Sequence, residues 1–484
     1  MIQHDAPIEM PIDRVRRPLQ RLIHLENLSG IALILGAVTA LVLANGPAAE
    51  AFDHFWHYHL HIQLGPIDLD ESLVHWVNDG LMTIFFFVAG LEIKRELVTG
   101  DLREPRKAAL PAIAAFGGMA VPALVYLAFS GSAARNGWGI PMATDIAFAV
   151  GILTLLGNRV PGRLKVFLLT LAIVDDLGAI AVIAIFYTSS LNTTALAAAI
   201  GLLVLILALR AMGVWWMPIY VLVGAGLWLA VFESGIHATL AGVACGLIAP
   251  AKPRRPDHTE IVAAPTATID ELKSIIFDTR ETKSVVDRLI HGLHPFTALM
   301  IVPVFALANT GVAMTPGAVA DALSASAAQA IMLGLVVGKP LGITLAAWIA
   351  VRSGLAVLPA NTTWRHVAGV GFLGGIGFTV SLFITDLAFD SATTVDNAKI
   401  GVLLASVLAS VGGAVLLATA PAPSVPDGDH GGDDAAPSEE PISFEEFDST
   451  RPASVLAAEG SASTTVDDEA AFTMSQHQGD NGVL

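Results

Sequence analysis

Four ionisable side chains stand inside long apolar runs of this 484-residue sequence: Asp145 in GWGIPMATDIAFAVG, Asp175 and Asp176 in LTLAIVDDLGAIAVIAIF, and Lys339 in LGLVVGKPLGITLAAW. A charge at the centre of a bilayer costs at least about 2.5–3.5 kcal/mol on insertion scales, so each needs a partner or a use. Three acids face one base, and pairing alone cannot cancel the surplus. Adjacent helical residues point about 100° apart. Asp175 and Asp176 are therefore coupled neighbours that cannot occupy one position. Carboxylate oxygens suit a dehydrated hard cation, supplying both ligands and charge. The same oxygens hold protons, so a cation and protons would compete for one site. That competition is the minimal chemistry of exchange. Lys339 could hold the charge of Asp175 or Asp176 when the cation is absent, or release a proton as the cation binds; its position alone leaves both roles open. A buried ion pair that only fixes helix packing is the plainer reading of an Asp and a Lys, and the acid surplus argues against it.

The segments that carry these groups are broken. Pro141 removes a backbone donor four residues before Asp145 and clashes with the preceding turn, so Thr144 and Asp145 follow where released backbone groups need partners. In the second half, GVGFLGGIGFTVSLFI (369–384) concentrates Gly371, Gly374, Gly375 and Gly377 in the middle of an apolar run. A glycine cluster can serve close helix packing alone. Beside Asp145 it reads as the second of two discontinuous helices, the device that brings dipole ends and freed carbonyls to a transport site.

Twelve apolar windows supply the frame: 27–44, 72–91, 106–128, 136–156, 163–187, 194–212, 216–231, 235–250, 294–310, 326–351, 367–386 and 398–419. About 20 residues are needed to span a core of about 30 Å, and runs of this kind exclude a closed barrel, whose strands would alternate. The fold expected is an all-α polytopic membrane protein with twelve transmembrane helices. Spans three to five and ten to twelve would form inverted-topology repeats, with the discontinuous helices crossing in spans 4 and 11. Basic residues fall in every even connection, from Arg14–Arg21 before the first span to Arg352 and Arg365 after the tenth, which puts both termini in the cytoplasm. The first span, with arginines before it and small residues after, also has the outline of a signal peptide; cleavage there would break this alternation.

The transmembrane domain covers 27–419, preceded by a cytoplasmic segment, 1–26. An external loop at 46–71 is long enough for a hairpin. A long cytoplasmic loop at 251–293 includes a plausible surface helix at 269–288. Residues 421–484 hold 14 acids against Arg451 alone, so most of the formal charge of -17 sits in a tail beginning near 420 whose composition is that of a disordered segment. The body is close to neutral and has no basic stripe, which argues against nucleic acid as a partner. Cys245 stands alone, which rules out a disulfide scaffold. No phosphate-binding Gly-rich loop, G-x-S-x-G or H-E-x-x-H occurs, so the chain is not read as an enzyme and no cofactor is expected. His54, His57, His59 and His61 lie close together, but no cysteine or compact carboxylate set completes a metal site around them. His237, His291 and His294 could respond to pH or simply bond at helix ends. Glu92, Lys94, Arg95 and Glu96 form an ionic rim after the second span.

ATDIAFAVGIL, LAIVDDLGAI, SGIHATLAG, GKPLGI and GIGFTVSLFI, in this order and spacing, resemble the bacterial NhaA family of sodium/proton antiporters. VNDGLMTIFFFVAGLEIKREL (77–97) and LANTGV (307–312) extend the similarity over roughly 22–418. The resemblance implies an electrogenic exchanger of the bacterial cytoplasmic (plasma) membrane that exports Na+ and Li+ for entering protons and serves pH and sodium homeostasis. It also implies a homodimer formed through the external loop. By motif, Asp175 and Asp176 match the essential aspartate pair, with Asp176 the direct cation ligand. Thr144 and Asp145 match the residues that compensate broken-helix ends, and Lys339 matches the lysine paired with the first aspartate. Asp79, Glu92, Glu96, His237, His291 and His294 match positions of pH response or of the cytoplasmic funnel. Where the family pattern has a glutamate before His291, this chain has Ile290. A sodium-coupled organic-anion carrier and an intramembrane aspartyl protease, using Asp145 and Asp175 as facing acids, are the alternatives.

Overall fold

The structure, a computed structural model, describes residues 25–64, 67–188, 191–214, 216–252 and 284–421, all within one compact unit, Met1–Ser424. Nearly all of the expected N-terminal segment, most of the surface helix expected at 269–288 and the acidic tail beyond 421 lie outside the described residues.

Besides single turns, the chain forms α1 (Leu25–Ala44), α2 (Ala49–Trp56), β1 (His59–Leu64), β2 (Ile67–Ser72), α3 (Met82–Val98), α4 (Pro105–Phe129), α5 (Ile146–Leu156), α6 (Gly162–Phe186), α7 (Thr193–Ala211), α8 (Met217–Glu233), α9 (Thr239–Ile248), α10 (Val285–Phe296), α11 (Val302–Asn309), α12 (Pro316–Ser324), α13 (Ser326–Leu333), α14 (Lys339–Arg352), α15 (Trp364–Gly374), α16 (Phe378–Ala388) and α17 (Ala392–Ala418). Among the described residues, seven helical stretches are long and apolar enough to cross a membrane, and two bent pairs raise the number to nine. The bent pairs are Leu28–Ala44 with Ala49–Trp56, at 118°, and Trp364–Gly374 with Phe378–Ala388, at 45°. The protein is therefore mostly helical and of polytopic membrane character. Of the twelve windows, two fall on shorter helices, α8 with 17 residues and α9 with 10, while α3 continues a helical run from Leu73 through a wide turn at Trp76–Leu81. At 1.5 Å per residue the longer of the two covers only about 26 Å.

In two stretches a widened turn absorbs a proline. Wide π turns at Thr297–Ile301 and Gly334–Gly338 precede Pro303 and Pro340. A proline ring collides with the carbonyl four residues earlier, here Leu299 and Val336, and both of those lie inside the wide turns. The second turn delivers Lys339 to the first position of α14.

The helices fall into two packed groups. In one, α3 runs parallel to α9, and α1, α10 and α11 pack alongside. The α3–α9 approach depends on small residues: a Cβ at Gly90 would strike Val243 O, and one at Gly246 would strike Phe87 O and Leu91 N. In the other group α4 packs on α14 and α6, while α17 packs on α13, α15 and α16. Gly117 and Gly342 face each other there so closely that a Cβ on either would meet the other's carbonyl. The groups meet along a seam where α1 touches α5, α3 touches α6 and α11 touches α16.

The ends of the bundle differ. At one, β1 and β2 pair antiparallel, from His59↔Ser72 to Leu64↔Ile67. Phe52 of α2 lies against Gly311 in the turn after α11, and Asn45 ties α1 to that turn through Val312 O (3.0 Å) and Met314 N (2.6 Å). This is the hairpin end. The other, basic end carries Lys94, Arg95 and Arg103, and Arg159, whose Nη1 donates to Ala418 O at 3.2 Å.

Candidate ion-binding site

At the middle of the second group two breaks in helical structure touch. One separates the 3-10 turn Arg135–Met142 from α5; the other separates α15 from α16. Each break leaves unsatisfied carbonyls on one side and unsatisfied N–H groups on the other. Asp145 serves both sets of donors. Its Oδ1 accepts from Phe148 N at 3.0 Å, capping α5. Its Oδ2 accepts from Thr379 N at 3.1 Å and Thr379 Oγ1 at 2.8 Å, in the first turn of α16. Two positive helix ends thus converge on one carboxylate. The Asp145 N–H donates to Ile376 O at 2.6 Å, stitching the breaks together directly.

The carbonyl ends are met by Lys339 and Thr144. Lys339 Nζ donates to Met142 O, at the end of the 3-10 turn. Thr144 Oγ1 lies 2.9 Å from Gly374 O, at the end of α15. Both also reach Asp175: Lys339 Nζ pairs with Asp175 Oδ2 at 2.6 Å, and Thr144 Oγ1 lies 2.5 Å from the same oxygen. Thr144 has one hydroxyl hydrogen for two acceptors. Asp175 and Lys339 are both fully buried. With Coulomb attraction this little screened, removing one partner of such a pair costs about 3–5 kcal/mol.

Asp175 Oδ1 is buried and has no hydrogen-bond partner, and neither has Asp176 Oδ1. Asp176 is half-buried, one residue round α6, with Asp175, Glu92 and Asp145 as negative neighbours and Lys339 as the positive one. Two adjacent carboxylates, each with an oxygen held from water and left without a donor, can take protons or a bare cation. Among the described residues no group of three or more His, Cys, Asp or Glu is placed to hold a metal ion. Any cation here would rest on these two acids and on hydroxyl or carbonyl oxygens around them.

The remaining expected residues are scattered. Glu92 and Glu96 lie toward the basic end of α3; Glu96 Oε2 accepts from Asp101 N at 3.1 Å and so braces the following turn. His291 and His294 are on α10, whose Val286 and Ile290 pack with Leu91 near that end. Ile290 is buried there, a placement suited to the isoleucine rather than to an acid. His237 bonds to Tyr187 O at 2.6 Å, at the end of α6 opposite Arg159, and so lies at the hairpin end rather than beside Glu92 and Glu96. The parallel α3–α9 packing forces this, because it brings the start of α9 to the start of α3. Asp79 also sits toward the hairpin end, in the wide turn Trp76–Leu81, where its carbonyl accepts from Trp228 Nε1 at 3.0 Å. The protease alternative fails on geometry, because both oxygens of Asp145 are occupied as caps and cannot face Asp175 as a free acid. Thr379 and Met142 escaped the sequence reading, and Gly374 figures there as part of the break but not as the carbonyl that Thr144 meets. A threonine two residues beyond Gly377 was the signal available for the first; the others act through backbone carbonyls that any residue would supply.

The family model described as Na+/H+ antiporter 1 matches residues 20–417. Among similar proteins, the Na(+)/H(+) antiporter NhaA of Rhodopirellula baltica is 47% identical over 444 residues, covering 86% of this chain and 97% of the relative. The Na(+)/H(+) antiporter NhaA 3 of Frankia alni is 44% identical over 416 residues, 84% of this chain and 90% of its own length. The Na(+)/H(+) antiporter NhaA of Bordetella parapertussis is 47% identical over 416 residues, 85% of this chain and 99% of its own length.

Proposed function

The chain belongs to the NhaA family of Na+/H+ antiporters, which are transporters and not enzymes, and from that premise we propose that it is an electrogenic exchanger that exports Na+ or Li+ while more protons than cations enter. Asp175 and Asp176 are the shared cation and proton site, with Asp176 the direct ligand. Asp145 and Thr144 hold the broken helices, and Lys339 balances Asp175 when the cation is gone. The observation that carries this is the pair of buried, unpartnered oxygens on adjacent carboxylates. They are poorly kept in an empty site and well used by a cation or by protons. Glu92, Glu96, His291 and His294 shape the basic-end approach and its pH response, and Asp79 and His237 act from the other side.

The architecture that serves this reading has twelve spans in the bacterial cytoplasmic membrane. Helices α3, α8 and α9 count among them, the two breaks cross as inverted repeats, and both termini and the basic end face the cytoplasm. The hairpin, with two open edges, pairs with a second copy. In the cycle, internal Na+ displaces protons from Asp175 and Asp176, and external protons displace Na+ after one helix group rocks against the other. If one net positive charge enters per cycle, about 100 mV contributes roughly 2.3 kcal/mol. At about 1.4 kcal/mol per decade that sustains a sodium gradient of about 50-fold.

Inside-out vesicles with an acid lumen test the proposal. Addition of Na+ or Li+ should alkalinise the lumen with the wild type and not with Asp176→Asn. A silent wild type across pH 6.5–9, with the protein present in the membrane, would overturn it.

A further inference from the structure

At the hairpin end of the seam, four polar side chains from four segments meet, and none of them belongs to the site above. Asn309, the last residue of α11, donates Nδ2 to Asn78 Oδ1 at 2.8 Å and to Phe305 O at 3.1 Å. Asn78 Nδ2 lies 3.3 Å from Asn309 Oδ1 and 3.3 Å from Asp386 Oδ2. Each amide nitrogen has two hydrogens, so every one of them is matched to an acceptor. Asp386 Oδ1 pairs with Lys399 Nζ at 2.8 Å, their side chains only 22% and 12% exposed.

These residues divide between the two helix groups. Asn78 and Asn309 belong to the first, while Asp386 on α16 and Lys399 on α17 belong to the second. The Asn78–Asp386 bond is thus a tie across the seam. Phe86 of α3 and Phe383 of α16 also meet across the seam, with ring centroids 5.5 Å apart, and both are buried. Asp386 is seven residues beyond Thr379, about 10 Å further along α16 at 1.5 Å per residue. An aromatic pair and then a polar tie therefore lie between the carboxylates and the hairpin face. The charges are arranged for repeated opening. Asp386 and Lys399 stay paired inside one group, so parting the seam at this point breaks one amide–carboxylate hydrogen bond and leaves no charge alone. The His237–Tyr187 O bond at the same end is a separate tie between the groups, to an uncharged acceptor.

We propose that Asn78, Asn309, Asp386 and Lys399 form a latch over the hairpin-end exit of the transport path, with Phe86 and Phe383 behind it, and that the Asn78–Asp386 bond breaks and re-forms in each exchange cycle. This rests on the antiport reading, because only a cycle that exposes Asp175 and Asp176 to the hairpin face needs the seam to part there.

The test joins the two sides. In a Cys245→Ala background, Asn78→Cys and Asp386→Cys are bridged by a short bis-methanethiosulfonate, and Na+-driven proton flux is measured before bridging, after it, and after reduction. The latch requires flux to stop on bridging and to return on reduction. Bridged protein that exchanges at the reduced protein's rate would overturn the latch while leaving antiport intact; a silent wild type in the same vesicles would instead sink the antiport reading. If the reduced pair is itself inactive, Asn78→Ala decides, because it leaves Asp386 and Lys399 paired. Labelling of Phe383→Cys by an impermeant maleimide from the hairpin side should then accelerate about tenfold, the scale of one hydrogen bond to a charged group. An unchanged labelling rate would overturn the latch.

Discussion

Asp145 and the Asp175–Asp176 pair are carboxylates of one chemistry in one buried centre, and the structure treats them oppositely. Asp145 is saturated: two helix ends and a hydroxyl donate to its two oxygens. Asp175 is half-saturated, with Lys339 and Thr144 on Oδ2 and nothing on Oδ1, and Asp176 Oδ1 is bare. A carboxylate whose lone pairs are spent on backbone donors is part of the scaffold. One whose oxygen is kept dry and unsatisfied is where an ion can go. Substitution at the saturated acid should therefore cost stability, and substitution at the open pair should cost exchange.

The largest stability loss is expected from Lys339→Met, which leaves Asp175 and Met142 O without their cation and costs about 3–5 kcal/mol. Thermal unfolding in detergent would read it, and a loss below about 1 kcal/mol would mean that Asp175 is not held by this pair. Asp145→Ala comes next. It removes the cap of α5 and orphans the Thr379 donors, together about 2–4 kcal/mol. Asp145→Asn, which keeps one acceptor oxygen, should recover part of that loss and retain exchange. Thr144→Val should cost about 1 kcal/mol and slow exchange without abolishing it. The smallest stability change belongs to Asp176→Asn, which removes no hydrogen bond recorded in the structure; within about 0.5 kcal/mol its unfolding should match the wild type although its exchange is lost. A destabilisation of Asp176→Asn as large as that of Asp145→Ala would erase the distinction.

Much of this centre was legible in the sequence, because charges in apolar runs are costly and few. Asp145, Asp175, Asp176 and Lys339 announce themselves by position, and Pro141 and the glycines at 374–377 mark the breaks. The saturation of Asp145 was not legible, since only one of its donors, Phe148 N, is local, while the Thr379 N–H and hydroxyl come from a segment more than 230 residues away. The end of the molecule that His237 occupies was legible, since it opens the eighth window away from the basic connections, but its bond to Tyr187 O was not. Asp386 and Lys399 were invisible for another reason: they sit near the ends of apolar runs, where charges are ordinary, and only the fold shows them paired beneath a seam.

Calorimetric titration of Na+ in buffers of different ionisation enthalpy tests the central claim most directly, because it counts protons released as the cation binds. The account predicts that wild type and Asp145→Asn release protons on binding Na+, with weaker apparent affinity as pH falls, and that Asp176→Asn shows neither binding nor release. Unaltered Na+-linked proton release by Asp176→Asn would contradict it.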